Sequence, residues 1–208
     1  MPDYETLLIE MQYFPPVQLF REAVKHNILA IEAKEHYQKN GYRNRCIIVG
    51  ANDIQMLTVP LVKGKNEQQP IIDTAIANDT KWQKVHWQAI QTAYGKSPFF
   101  EYYAPELKPL FEKEWTYLFD LNYEIIQILK ELLQLPFIIE KTSTYSKKTD
   151  ASVLDLRNQM APKNRLQQES PLKPYPQVFE SKNGFLPNLS ILDLLFCIGP
   201  ESFYYLEE

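Results

Sequence analysis

Tyr42-Arg43-Asn44-Arg45 places two guanidinium groups at strand spacing at the head of a predicted β-hairpin. Side chains alternate across a strand, so Arg43 and Arg45 are expected to leave one face together and to grip one carboxylate or phosphate in parallel. The alternative is that they pair with the chain's own carboxylates at the sheet surface, an arrangement worth little to stability. His86 is the second group capable of chemistry. It lies in a helical pattern beside Trp82, Trp87 and Ile90, where burial would perturb its titration and suit it to acid–base work. A core histidine bonded to a backbone carbonyl is the structural alternative. Asp193 falls on an otherwise apolar helix, where it could dock onto Arg43 or Arg45 or stand as a carboxylate in a pocket.

Other chemistries lack their signatures. His26, His36 and His86 show no metal-ligand spacing to one another or to Cys46 and Cys197, so no metal is expected. The 6 glycines are scattered singly, which allows neither a Walker loop nor a dinucleotide fingerprint, and no cofactor is expected. Ser190 has no G-x-S-x-G elbow and reads as a helix N-cap. Both cysteines lie in apolar stretches and read as reduced core thiols, which favours the cytoplasm. The chain opens without a secretory signal, and its most apolar late run, Ile191 to Ile198, is too short to span a bilayer. A net charge of −4 leaves no electrostatic footprint for nucleic acid or an anionic membrane. The partner expected is a small sugar-like or anionic ligand, consistent with an aromatic share driven by 13 Tyr and 11 Phe. Nothing in the sequence speaks to oligomeric state.

The elements that must position these groups follow from periodicity. Leu7-Leu8-Ile9, the helical spacing of Val17 to Val24, and Ile28 to Ile31 predict one βαβ unit. The loop after its first strand, Met11 to Pro16, is then a candidate pocket wall, because open α/β sheets bind ligands at the carboxyl ends of their strands. Arg45 to Val49 and Ile54 to Val62 flank the turn Gly50-Ala51-Asn52-Asp53 and predict a hairpin. Lys63 to Gln69 reads as a polar loop, and Ile71 to Ile76 as a strand. A helix capped by Asp79 or Thr80 runs through Tyr94, followed by an aromatic cluster at Phe99 to Tyr103. Two further helices, from Pro105 through Leu118 and from Leu121 to Leu135, are separated by a break near Asp120-Leu121-Asn122; one long helix is the alternative. Phe137-Ile138-Ile139 reads as a strand. Residues 141–176 form a long polar, proline-rich lid or loop, and a short helix from Ile191 to Ile198 stops at Gly199-Pro200. The fold class is mixed α/β, with α+β possible: a single domain over residues 1–208, with a small N-terminal sheet covered by several helices.

Gln12-Tyr13-Phe14-Pro15, Tyr42-Arg43-Asn44-Arg45, Leu57-Thr58-Val59-Pro60, Trp82 with His86-Trp87, Tyr94 with Ser97-Pro98-Phe99-Phe100, and Leu189 to Phe196 occur in an order that resembles the WbqC-like family. The likeness covers nearly the whole chain outside 141–176. The chain departs from the family pattern at Met11-Gln12, where many relatives have Gln-Pro, and at Cys197, where the tail helix commonly carries Asn. The second departure argues for Cys197 as a structural thiol. The resemblance implies a bacterial protein of surface-polysaccharide clusters, a group transferase passing an acyl or aminoacyl group such as glycyl to an amino sugar of O-antigen. A non-catalytic binding or assembly protein is the alternative. The expected site gathers Gln12, Tyr13, Arg43, Asn44, Arg45 and His86, with Asp193 joining them. His86 is its base, and the arginines hold an anionic group.

Overall fold

Two apolar runs, each closed by a glutamate, form the first strands, Thr6–Glu10 (β1) and Ile28–Glu32 (β2). In the computed structural model, which describes residues 4–62, 69–167 and 172–208, they pair in parallel with Thr6 opposite Ile28 and Glu10 opposite Glu32. Between them runs Val17–Ala23 (α1), which buries Val17, Leu19, Phe20 and Ala23. Continuous apolar runs are the mark of parallel strands covered on both faces. The hairpin follows: Arg45–Val49 (β3) pairs antiparallel with Ile54–Thr58 (β4), Arg45 facing Thr58. β4 stops before the expected Val62 because Pro60 has no N–H for a ladder.

Trp82–Tyr94 (α2) packs against β3 and buries Trp82, His86, Ile90, Ala93 and Tyr94. Its cap differs from the expectation, since Lys81 occupies that position and makes no side-chain cap bond. Phe100–Leu107 (α3), Pro109–Glu112 (α4) and Leu118–Leu132 (α5) complete the helical layer. The break lies before α5, not near Asp120 to Asn122. The expected strand Ile71 to Ile76 supplies the reason. It begins as a 3-10 turn at Ile71–Asp73 and then lies beside residues 116–118, with Ile76 N–H bonding Thr116 O and Leu118 N–H bonding Thr74 O at 2.9 Å each. That pairing takes the backbone groups a continuous helix would use.

Ile138–Lys141 (β5) adds to β2 in parallel, and Val153–Asp155 (β6) adds to β1. The sheet order is therefore β5-β2-β1-β6, all parallel. Part of the segment expected as a lid is thus a sheet strand; its residues 168–171, like 63–68 of the polar loop, lie outside the described residues. Strand order reverses at β1, so the crevice between the carboxyl ends of β1 and β6 is the topological switch point where such sheets take ligands.

The tail closes the structure with Glu180–Asn183 (α6), Ile191–Ile198 (α7) and Ser202–Glu207 (α8). Ser190 caps α7 as expected, accepting from the Leu192 N–H, while its own N–H bonds Ile47 O of β3 at 2.7 Å. Gly199 ends α7 at φ +56°, and a Cβ there would meet the Phe99 ring at 2.5 Å. Among the described residues no helix is long and apolar enough to cross a membrane. The protein is a single mixed α/β domain combining a parallel sheet, a separate hairpin and several helices.

Candidate functional site

The register of β1 and β2 sets Glu10 beside Glu32 at the carboxyl end of the sheet, and both are buried. Two buried carboxylates side by side demand protons or cations. The chain supplies two guanidinium groups from outside the sheet. Arg157, just past β6, donates from Nη1 to Glu32 at 2.7 Å and from Nε and Nη2 to Asp155 at 3.0 and 2.6 Å. Arg43 makes a two-pronged fork to Glu35, Nε to Oε1 at 2.8 Å and Nη2 to Oε2 at 2.5 Å, and Nη2 also reaches Asn158 Oδ1 at 2.7 Å. Glu10 accepts from Gln12 Nε2 at 3.0 Å and from the Asn158 N–H at 2.8 Å. Gln12 Oε1 is buried and has no partner among the described residues.

Burial lifts the Glu10 carboxyl above the usual carboxylate range, and the Arg43 charge and the Asn158 N–H offset only part of that rise. Burial also works against the charge on Arg43, but the fork to Glu35 outweighs it and keeps the guanidinium protonated. Burial opposes the charge of Asp155 too, yet the bonds from Arg157 carry its carboxyl below the usual range. Glu10 is the member of the cluster drawn toward the neutral form without a guanidinium bonded to it.

The expected pairing of Arg43 and Arg45 on one strand face is corrected. Arg43 lies in the turn before β3, only 2 % exposed, and its fork is committed to Glu35, while Arg45 opens the strand opposite Thr58. Both still act on the Tyr37 phenol, whose proton burial holds more firmly and the two arginines loosen. Asn44 is bonded at both ends of its amide, Nδ2 donating to Val59 O at 2.9 Å and Oδ1 accepting from the Tyr37 hydroxyl at 3.1 Å.

Tyr13 and His86 form a second cluster. The Tyr13 hydroxyl and His86 Nδ1 are 2.9 Å apart, both residues being buried. Burial lowers the imidazole to about 4, against the pull of the Thr58 carbonyl, so the ring is neutral at physiological pH. Burial likewise holds the Tyr13 proton. The phenol therefore donates to Nδ1, and the other ring nitrogen carries the hydrogen toward Thr58 O. Gln12 and Tyr13, neighbours in the loop after β1, thus address the carboxylate cluster and the histidine respectively.

Asp193 stands in a third place. Its Oδ2 accepts from the Tyr175 hydroxyl and from Gln177 Nε2, each at 2.7 Å, so of the two readings open for it the docking onto Arg43 or Arg45 is not the one the structure shows. Those donors pin the segment before α6 onto α7. The tail still reaches the hairpin, through Ser190 and through Lys182, whose Nζ donates to Ala51 O at 2.9 Å.

A cleft of about 570 Å³ opens between α1 and the segment following β6. Gln18, Arg21 and Lys25 line one wall, Gln159, Asn164 and Arg165 the other. None of the seven sequence-predicted residues lines it. Among the described residues no group of three or more His, Cys, Asp or Glu side chains is placed to hold a metal.

Sequence reasoning missed Glu10, Glu32, Glu35, Arg157 and Asn158. The signal for the first two was present, since each strand of the βαβ unit ends in a glutamate after an apolar run. Arg157 and Asn158 gave none, because they lie in a polar stretch whose strand is defined only by its pairing with β1.

The chain matches the WbqC-like protein family over residues 11–170. It is also similar to the uncharacterized protein Rv1507c of Mycobacterium tuberculosis (strain ATCC 25618 / H37Rv), 28% identical over 195 residues that cover 82% of this chain and 83% of that protein. No solved structure matches it. With most of its length matched, the chain belongs to the WbqC-like protein family.

Proposed function

We propose that this protein is a group transferase of bacterial surface-polysaccharide biosynthesis, passing an acyl or aminoacyl group to an amino sugar. The observation that carries this reading is the Tyr13–His86 pair, in which a neutral imidazole on α2 accepts at Nδ1 the hydrogen bond of a phenol on the loop at the carboxyl end of β1. In this reading the loop that carries the buried Tyr13 opens to the acceptor amine; as the amine attacks the acyl carbonyl, its proton passes to the Tyr13 oxygen while the phenol proton moves to Nδ1, and the leaving group departs with the acyl bond's electrons. Arg43 and Asn44, held inside the protein, fix the turn against the Gln12–Tyr13 loop, to which it is bonded through Tyr13 N–H and Tyr42 O at 2.9 Å.

A second reading rests on a specific observation. His86 and Asn44 are hydrogen-bonded inside the protein and Arg43 is committed to Glu35 and Asn158, as expected of a binding or assembly protein whose polar core is structural. The test is incubation with candidate aminoacyl donors and nucleotide-linked amino sugars, with product followed by mass, beside His86→Ala and Tyr13→Phe. The transferase reading expects product in the parent and a fall of about 100-fold or more in each variant, the range of general acid–base contributions. Undiminished turnover in both removes the relay. Binding without product across the panel favours the binding protein.

A further inference from the structure

We propose that the cleft between α1 and the segment after β6 binds a phosphorylated sugar, its cations holding the phosphate and its carboxamides the sugar hydroxyls. The proposal asks only for binding, so it stands under either reading of the function.

Charge comes first. The chain carries a net −4, yet Arg21, Lys25 and Arg165 line this cleft, where Glu22 is the one carboxylate among the described lining residues. Local reversal of the overall sign concentrates an anion where the rest of the surface repels it. Lys25 Nζ lies 2.7 Å from Glu22 in an exposed pair, and such a pair opens at little cost when a stronger anion arrives. Arg165 Nη1 donates to Pro187 O at 2.6 Å, which fixes the guanidinium at the wall before any ligand enters. The Tyr42 phenol lies close enough to feel that guanidinium, and its buried oxygen has no partner among the described residues.

Amides supply the second half of the chemistry. Gln18, Gln159, Asn164 and Asn188 all line the cleft; Asn188 is bonded within the wall and Gln159 Nε2 donates to Asp155 O at 2.7 Å, which leaves the amides of Asn164 and Gln18 and the Gln159 oxygen to meet sugar hydroxyls. One end is already organised. Gln18 N–H donates to Asn188 Oδ1 at 3.0 Å, and Asn188 Nδ2 returns to Gln18 Oε1 at 3.1 Å, with Asn188 held at φ +54°. Leu154, Leu156 and Met160 provide an apolar floor. No aromatic ring is among the described lining residues, so the cleft has no platform for stacking a nucleobase. The sugar phosphate is therefore the recognised part, and a nucleoside attached to it adds little.

The experiment is calorimetric titration of the full chain with glucosamine 1-phosphate, glucosamine, inorganic phosphate and a uridine diphosphate amino sugar. Glucosamine 1-phosphate and the nucleotide sugar are expected to bind within about threefold of one another, and the phosphate-free sugar at least about tenfold more weakly. Lys25→Glu and Arg21→Glu are each expected to weaken glucosamine 1-phosphate by about tenfold or more while leaving the circular dichroism spectrum unchanged. Equal affinity for glucosamine, unaltered binding in both variants, or no binding of the phosphorylated sugars to the folded parent would overturn the proposal. His86→Ala, which tests the transferase reading, is expected to leave these affinities unchanged, so the two ideas fail separately.

Discussion

Replacing Asp193 by Asn should change how stability responds to pH more than it changes the fold. The Asp193 carboxylate is fully buried in the first turn of α7, and burial lifts it to about 6 despite the bonds from Tyr175 and Gln177. Its reference value in an unfolded chain is 3.8. A carboxyl whose folded value lies above its unfolded value binds its proton more tightly in the native state. The stability linked to that proton is fully present below the unfolded value and is lost as pH rises through the folded one. At 1.36 kcal/mol per pKa unit, the charged form burdens the native state by about 3 kcal/mol at neutral pH. Asn keeps an oxygen to accept from Tyr175 and Gln177 and never ionises. Its NH2 group takes the place of Oδ1, which has no hydrogen-bond partner among the described residues, and that unmet nitrogen costs about 1–3 kcal/mol at every pH. That offset is constant; the pH dependence is not. Urea unfolding followed by tryptophan fluorescence, run for both proteins across a pH series, should give a stability difference, variant minus parent, that rises by about 2 kcal/mol between about pH 4.5 and 7.5. A flat difference would mean that Asp193 does not titrate in that interval. A falling one would mean that its charge is stabilised in the fold, and the argument from burial would be wrong.

Arg43→Lys keeps the charge but loses the fork to Glu35, and with both partners buried it should destabilise the protein by about 2–4 kcal/mol in urea unfolding. An unchanged urea midpoint would mean that the fork adds nothing to the fold and would return Arg43 to the role of an anion-binding group. Gly199→Ala should lower stability by about 2–4 kcal/mol, because the left-handed backbone and the Phe99 ring both oppose a Cβ, and thermal unfolding by calorimetry reads the loss.

Where local pattern and tertiary pairing agreed, the sequence was legible. The βαβ unit, the hairpin and the α7 cap all follow from spacing within a few residues, and each stands where spacing put it. The break before α5 did not, because Trp115 and Leu118 keep a helical interval while the backbone of 116–118 is claimed by residues 74–76, far away in sequence. β6 escaped notice for a related reason: three residues in a polar stretch become a strand only by completing the edge of β1. The site repeats the pattern one level up. Arg43 was recognisable as a guanidinium needing an anion, but its partner depended on Glu35 turning inward after β2 and on Asn158 arriving from beyond β6. A buried fork of that kind satisfies the chain itself, which moves the search for an anionic ligand to guanidinium and ammonium groups that still face a solvent-filled space. Arg21, Lys25 and Arg165 line such a space between α1 and the segment after β6. Charge therefore directs the search to the space between α1 and the segment after β6, while the loop that strand geometry singled out holds Gln12 and Tyr13 buried against the chain's own polar groups.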